Sequence, residues 1–249
     1  MNRSDKIVSW LRDRAADAGA RGFVFGLSGG IDSAVVARLC QLAAPSRVLG
    51  VLLPCYSNSQ DEDDARLVAN SFHLPLARVD LGQTFDALTE SLHHAIKGLP
   101  SHVPVVDIKQ QLPEANVKPR LRMTALYFIA NSLNYLVAGT GNRSEITLGY
   151  YTKYGDGGVD VLPIGQLLKS EVRALARELG VPAPIIEKPP TAGLWVGQTD
   201  EAEMGFSYDT LEKYLAEGEK AVGPAVAQRI ERLRATSDHK RQMPPVAEV

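Results

Sequence analysis

Cysteine is scarce in this chain. Among 249 residues there are two, Cys40 and Cys55, which form neither a disulfide framework nor a C-x-x-C metal knuckle. Cys40 falls on a predicted helix face and is expected to be buried as a small apolar residue. Cys55 follows a predicted strand near a pocket, and no paired base marks it as a nucleophile. Neither sign of charge is in excess: 27 Lys and Arg face 29 Asp and Glu, a net charge of −2. That balance argues against nonspecific nucleic-acid or membrane binding as the main activity. No apolar run approaches the roughly 18 residues needed to span a bilayer. Met1-Asn2-Arg3-Ser4-Asp5-Lys6 has no signal-peptide apolar centre. The chain also has no internal repeat and no low-complexity tract. The expectation is a cytoplasmic soluble protein without nucleic-acid or membrane partners.

Two nucleotide motifs are missing as well. The lysine-bearing phosphate loop G-x-x-x-x-G-K-[ST] is absent, and so is the dinucleotide fingerprint G-x-G-x-x-G.

What remains is an ordinary globular composition, 45% hydrophobic and 22% charged, most simply one α/β domain over 1–249. The first half alternates helix and strand signals. Helices are predicted over 5–18, 33–44, 60–72 and 84–97, the third capped by Ser59. Buried strands are predicted over 22–27 and 48–53, and a third strand over 76–81. Residues 98–113, with Gly98, Pro100, Pro104 and Pro113, read as an irregular connection. Asn116 precedes a helix to about 135, with Pro119 in its first turn, where a missing N–H costs little. A fourth strand over 135–140 leads into a polar turn at 141–145. Segment 149–165 reads as a loop and 166–179 as a helix ending at Gly180. Segment 182–200 shows little regular pattern, and helices near 208–217 and 224–236 follow. This alternation predicts a doubly wound, mainly parallel sheet flanked by helices, with ligands gathered beyond the carboxyl ends of the strands.

At one such end stands Gly26-Leu27-Ser28-Gly29-Gly30-Ile31-Asp32-Ser33. A Ser/Gly turn between strand and helix aims backbone N–H groups and a positive helix end at an anion. Asp32 would repel a bare phosphate, so the loop suits Mg²⁺-bound pyrophosphate. A helix-capping turn is the plainer alternative.

The form S-G-G-x-D-S resembles the pyrophosphate loop of the ATP pyrophosphatases, which have the Rossmann-like fold of the adenine nucleotide alpha hydrolases. Further motifs narrow the likeness: Asn116-Val117-Lys118-Pro119-Arg120-Leu121-Arg122-Met123, Gly139-Thr140-Gly141-Asn142-Arg143-Ser144-Glu145, and Thr152-Lys153-Tyr154-Gly155-Asp156-Gly157-Gly158-Val159-Asp160. Lys169, Lys188-Pro189-Pro190-Thr191-Ala192-Gly193-Leu194-Trp195, Gln198-Thr199-Asp200-Glu201 and His239-Lys240-Arg241 come after them. From about residue 5 to 245 the chain resembles the NAD synthetases, departing at Pro119, where that family more often has Ala. The resemblance implies amidation of deamido-NAD by ammonia, with ATP yielding AMP and pyrophosphate through an adenylated intermediate. It also implies a homodimer and, with no room for an amidase domain, no glutaminase unit. Another amide-forming ATP pyrophosphatase and a non-catalytic nucleotide-binding regulator are the competing readings.

By the same resemblance, Gly26 to Ser33, Thr140, Lys169 and Thr191 contact ATP, and Asp32 and Glu145 hold Mg²⁺. Asp32, Glu145 and Lys169 carry catalysis. Arg120, Lys153, Asp160, His239 and Lys240 contact deamido-NAD. Each has a plainer reading when taken alone. Glu145 is an ordinary surface carboxylate, Lys169 a solvated helix-start residue, Thr191 a turn residue, and His239-Lys240-Arg241 a solvated basic tail. Arg120 and Arg122 are two residues apart and cannot share one helix face, so one of them is structural; Arg120 is chosen as the ligand contact. Asp156 either serves ammonia or stabilises its turn, and the turn is favoured.

Overall fold

A computed structural model describes residues 2–105, 111–190 and 199–248 of the chain. The order is α1 (Arg3–Asp17), β1 (Gly22–Gly26), α2 (Ile31–Ala43), β2 (Val48–Leu52), α3 (Ser59–Phe72), β3 (Leu76–Arg78), α4 (Gly82–Lys97), α5 (Gln111–Leu133) and β4 (Tyr135–Val137). Six helices follow: α6 (Arg143–Leu148), α7 (Lys169–Glu178), α8 (Ala183–Glu187), α9 (Asp200–Met204), α10 (Tyr208–Glu217) and α11 (Pro224–Thr236).

The four strands form one parallel sheet in the order β3-β2-β1-β4, with Val24 opposite both Leu49 and Val137. Strand periodicity divides the core between two faces. Phe23 and Phe25 of β1 point to one side, among Leu11, Val35, Leu39, Leu175 and Ile185 of α1, α2, α7 and α8. Val24, Val51 and Val137 point to the other, where Ala130 and Leu126 of α5 cover them. Helices thereby cover both faces of the central strands, as a parallel sheet requires. A third cluster joins Leu148 of α6 to Met204, Tyr208, Leu211 and Ile230 in the C-terminal helices.

Most predicted elements are present, with several corrections. α5 starts at Gln111, earlier than predicted, so Pro119 lies inside the helix and not in its first turn. Pro119 packs on the 152–158 turn, 3.0 Å from where a Cβ on Gly155 would stand, and that packing offsets part of the cost of the lost N–H. The expected irregular stretch is therefore shorter, and residues 106–110 lie outside those described. Asn58, not Ser59, caps α3 by accepting from Gln60 N. The 141–145 turn opens into a helix, α6, and 182–200 contains α8. β3 and β4 stop at Arg78 and Val137; past β4 only a single bridge, Ala138 to Val161, continues the pairing.

Candidate active site at the reversal of strand order

β1 is followed in space by β2 on one side and β4 on the other, so the connections leaving β1 and β4 diverge and open a crevice at the carboxyl ends. A cavity of about 840 Å³ occupies this crevice, and Ser28, Asp32, Thr140, Glu145, Lys169 and Lys240 are among its walls.

The loop after β1 is shaped by contacts within it and against α3. Ser33 Oγ donates to Gly30 O at 2.9 Å and lies 3.1 Å from Ser28 Oγ. Gly29 has φ +77°, and a Cβ there would stand 2.5 Å from Asp61 O, so only glycine fits this approach to α3. Gly30, just before α2, supplies no side-chain cap, so the first N–H groups of the helix are without a capping side chain. All of the predicted 26–33 segment except Gly29 lines the cavity.

Glu145 is fixed from the β4 side. Asn142 caps α6 by accepting from Glu145 N at 3.0 Å, and Glu145 Oε2 accepts from Asn142 N at 3.2 Å. This is a capping box. Asn142 Nδ2 also donates to Asp32 Oδ1 at 3.1 Å, joining the two carboxylates through one side chain. Gly139 permits the turn, since a Cβ there would meet Val159 at 2.7 Å.

Lys169 opens α7 and is 2% exposed, so it is not the solvated residue its position alone suggests. Its Nζ bonds Asp32 Oδ2 and stands 3.6 Å from Glu145 Oε1. The Tyr208 ring lies beneath it, 5.2 Å from the nitrogen. Burial by itself would lower the basicity of Lys169, but Asp32 and Glu145 outweigh it and keep the ammonium protonated. Burial, then the Asp32 charge, pushes the Glu145 carboxyl above the ordinary carboxylate range against the pull of Lys169. Two carboxylates beside one ammonium make a site with room for further positive charge.

The predicted dinucleotide residues separate into two groups. Lys240 lines the cavity, donating to Gly149 O at 2.7 Å and Tyr151 O at 2.6 Å. Arg120, Lys153 and His239 form a chain outside the cavity lining: Arg120 donates to Lys153 O at 3.4 Å, and Lys153 Nζ to His239 O at 2.5 Å. Asp160 accepts from Val137 N at 2.8 Å and from Tyr127 Oη at 2.9 Å. Asp156 faces the cavity and accepts from Thr152 N at 2.9 Å, as a turn-stabilising residue does. Thr191 lies outside the described residues.

The profile of the NAD synthase family matches residues 3–244. The chain belongs to the NAD synthase family. The NH(3)-dependent NAD(+) synthetase of Carboxydothermus hydrogenoformans is 50% identical over 244 residues, covering 98% of this chain and 96% of that protein. Among solved structures, NMN synthetase from Francisella tularensis is 35% identical with a TM-score of 0.88, covering 99% of this chain and 98% of that one. The NH3-dependent NAD synthetase from Campylobacter jejuni is 28% identical with a TM-score of 0.78 over the whole of both chains. In this NAD synthase chain the structure adds residues that sequence reasoning did not place. Asn142 was detectable, because Asn-x-x-Glu is a capping-box signal. Arg122, Lys188 and Asp200 also line the cavity, and their placement depends on tertiary packing that carries no local signal.

Proposed function

We propose that the chain catalyses ATP-dependent amidation of deamido-NAD with ammonia, giving NAD, AMP and pyrophosphate through an adenylated dinucleotide. The observation that carries this reading is the meeting of the 26–33 loop, Glu145 and Lys169 at one end of a cavity whose other walls come from the 152–158 turn and Lys240. A nicotinate oxygen attacks the α-phosphorus of ATP, a C–O–P bond forms, and pyrophosphate leaves with the electrons of the broken P–O bond. Ammonia then attacks the carbonyl carbon, AMP departs, and the new amide loses a proton. The protein's work is positioning and charge stabilisation.

In this reading the N–H groups and hydroxyls of the loop hold the pyrophosphate, with Lys169 as a point charge on phosphate oxygen. Thr140 and Thr191 contact ATP. The donor set fits Mg²⁺: Asp32 and Glu145 are hard oxygen ligands, and the carboxyl of Glu145 is poor in compensating charge. Bound there, Mg²⁺ would neutralise charge on the pyrophosphate. Lys240 meets the dinucleotide inside the cavity, and Arg120, Lys153, Asp160 and His239 meet it beyond the rim.

That arm of the site, together with the apolar surface of α4, supports a homodimer. The setting in this reading is the cytoplasm; no described helix is long and apolar enough to cross a membrane. The nitrogen source is free ammonia, with the chain acting as a single NAD synthase unit.

The test is a product assay with ATP, ammonium and deamido-NAD, and a parallel arm containing nicotinate mononucleotide, because one structural relative is an NMN synthetase. Equimolar NAD, AMP and pyrophosphate is the expected result. ADP and phosphate would overturn the reading, and a higher kcat/KM for the mononucleotide would reassign the substrate.

A further inference from the structure

Arg122 lines the cavity and is hydrogen-bonded to no carboxylate. Leu126 of α5 lies against Gly26, 3.7 Å from the position a Cβ there would take. Residues four apart share a helix face, so Arg122 stands one turn beyond Gly26, above the carboxyl ends of β1 and β2. Its Nε donates to Leu53 O at 3.1 Å and one Nη to Ser57 Oγ at 3.2 Å. The neighbouring Met123 touches the opposite wall, 3.1 Å from where a Cβ on Gly158 would be. Arg122 therefore sits where the loop after β1, the segment after β2 and the 155–158 turn converge.

A guanidinium has five N–H donors, and the two bonds above leave three. None of its nitrogens is a buried orphan, and the residue lines the cavity, so the spare donors open into it. Asp156 and Asp61 lie near enough to support the Arg122 charge, but neither is hydrogen-bonded to it. Burial outweighs that support and disfavours the guanidinium charge, a cost that an anion in the cavity offsets. Arg120 differs on each count. It is exposed, it touches only a carbonyl, and it lies outside the cavity lining.

We propose that Arg122 is a catalytic residue of the adenylation step, its free fork bridging the nicotinate carboxylate and a non-bridging oxygen of the ATP α-phosphate. This rests on the reading given under Proposed function. Two anions must approach to bonding distance there, and their repulsion is part of the barrier. A planar fork fixed from behind by Leu53 and Ser57 neutralises both and sets their geometry. No proton moves in this step: the carboxylate oxygen bonds to phosphorus, and pyrophosphate leaves with the electron pair.

The experiment is deamido-NAD-dependent exchange of labelled pyrophosphate into ATP, run without ammonia on wild type, Arg122→Gln and Arg122→Lys, with thermal melts of each. Exchange by the wild type tests the overall reaction, and the variants test Arg122 against it. Arg122→Gln is expected to lower kcat for exchange about 100-fold or more with a much smaller change in the KM for ATP. Arg122→Lys keeps the charge but not the fork and is expected to recover about a tenth of the rate. A residue that only braced the 53–57 segment would lower the melting temperature and raise KM while leaving kcat near wild type, which overturns the proposal. If Arg122→Gln fails to fold, the folded Lys variant decides: exchange at the wild-type rate overturns the proposal, and a roughly tenfold loss with an unchanged melt supports it.

Discussion

Asp200 is 4% exposed and is the most buried acidic side chain among the described residues. One oxygen accepts from Tyr208 Oη at 2.9 Å, and the other is buried without a hydrogen bond. Burial raises its carboxyl above the ordinary aspartate range, partly opposed by the Tyr208 hydrogen bond and the Lys169 charge. The sign follows from linkage. An acid whose folded-state pKa exceeds its unfolded value favours folding while protonated, and that contribution is lost as pH rises through the folded-state value. Asp200→Asn keeps an acceptor for Tyr208 and removes the buried charge. The variant should melt several degrees above wild type at pH 8, where 1 kcal/mol corresponds to about 2–4 °C at this chain length. The gap should close below the ordinary aspartate range. Scanning fluorimetry of the ligand-free protein across pH checks this, and an offset constant with pH would contradict it. Nothing local in Gln198-Thr199-Asp200-Glu201 signals this burial, which comes from α10 folding back over α9 to bring Tyr208 to Asp200. The Asp32 loop, by contrast, was legible because its chemistry is written in consecutive residues.

At the scale of elements, α5 is where local propensity and tertiary packing disagree most. Pro119 lies in the interior of a 23-residue helix, where it removes one backbone hydrogen bond, and such a proline costs about 3 kcal/mol against alanine when packing is absent. Its buried contact with the 152–158 turn offsets part of that. Pro119→Ala should therefore gain about 1 kcal/mol and raise the melting temperature by roughly 2–4 °C, measured by calorimetry; a lower melting temperature would mean that the ring contact outweighs the hydrogen bond. The sequence points to the longer helices and buried strands because each carries its own periodicity and caps. It misplaces the start of α5, because proline usually marks a boundary and only contacts distant in sequence allow otherwise. It misses α6, α8 and α9, which are six, five and five residues long, too short to show a helical period. Strand order also goes unread, since pairing β1 between β2 and β4 joins segments more than a hundred residues apart.

For the whole molecule, the exposed side of α4 is unfinished business in a single chain. Over its 16 residues only Gly82 is buried, while Leu88, Leu92 and Ile96 recur every fourth position and stand 39%, 45% and 48% exposed. Spacing of four puts them on one stripe, and α5, which packs beside α4, adds Phe128 at 75% exposure. An apolar surface of this kind marks an interaction site. On the function proposed above, a second copy is the partner that suits this surface, because Arg120, Lys153 and His239 stand outside the cavity lining and a two-copy site would continue there. The wild-type protein should therefore run in light scattering at twice its 27.0 kDa chain mass. Leu92→Lys combined with Ile96→Glu places charge in the stripe without touching a buried residue, and should give a folded monomer. If the rim residues work across the interface, that monomer should show a KM for deamido-NAD raised at least about tenfold, the loss of roughly 1.4 kcal/mol of binding, with the KM for ATP nearly unchanged. A monomer with unaltered KM for both substrates would separate the apolar stripe from the dinucleotide arm and confine the substrate to the cavity of one chain.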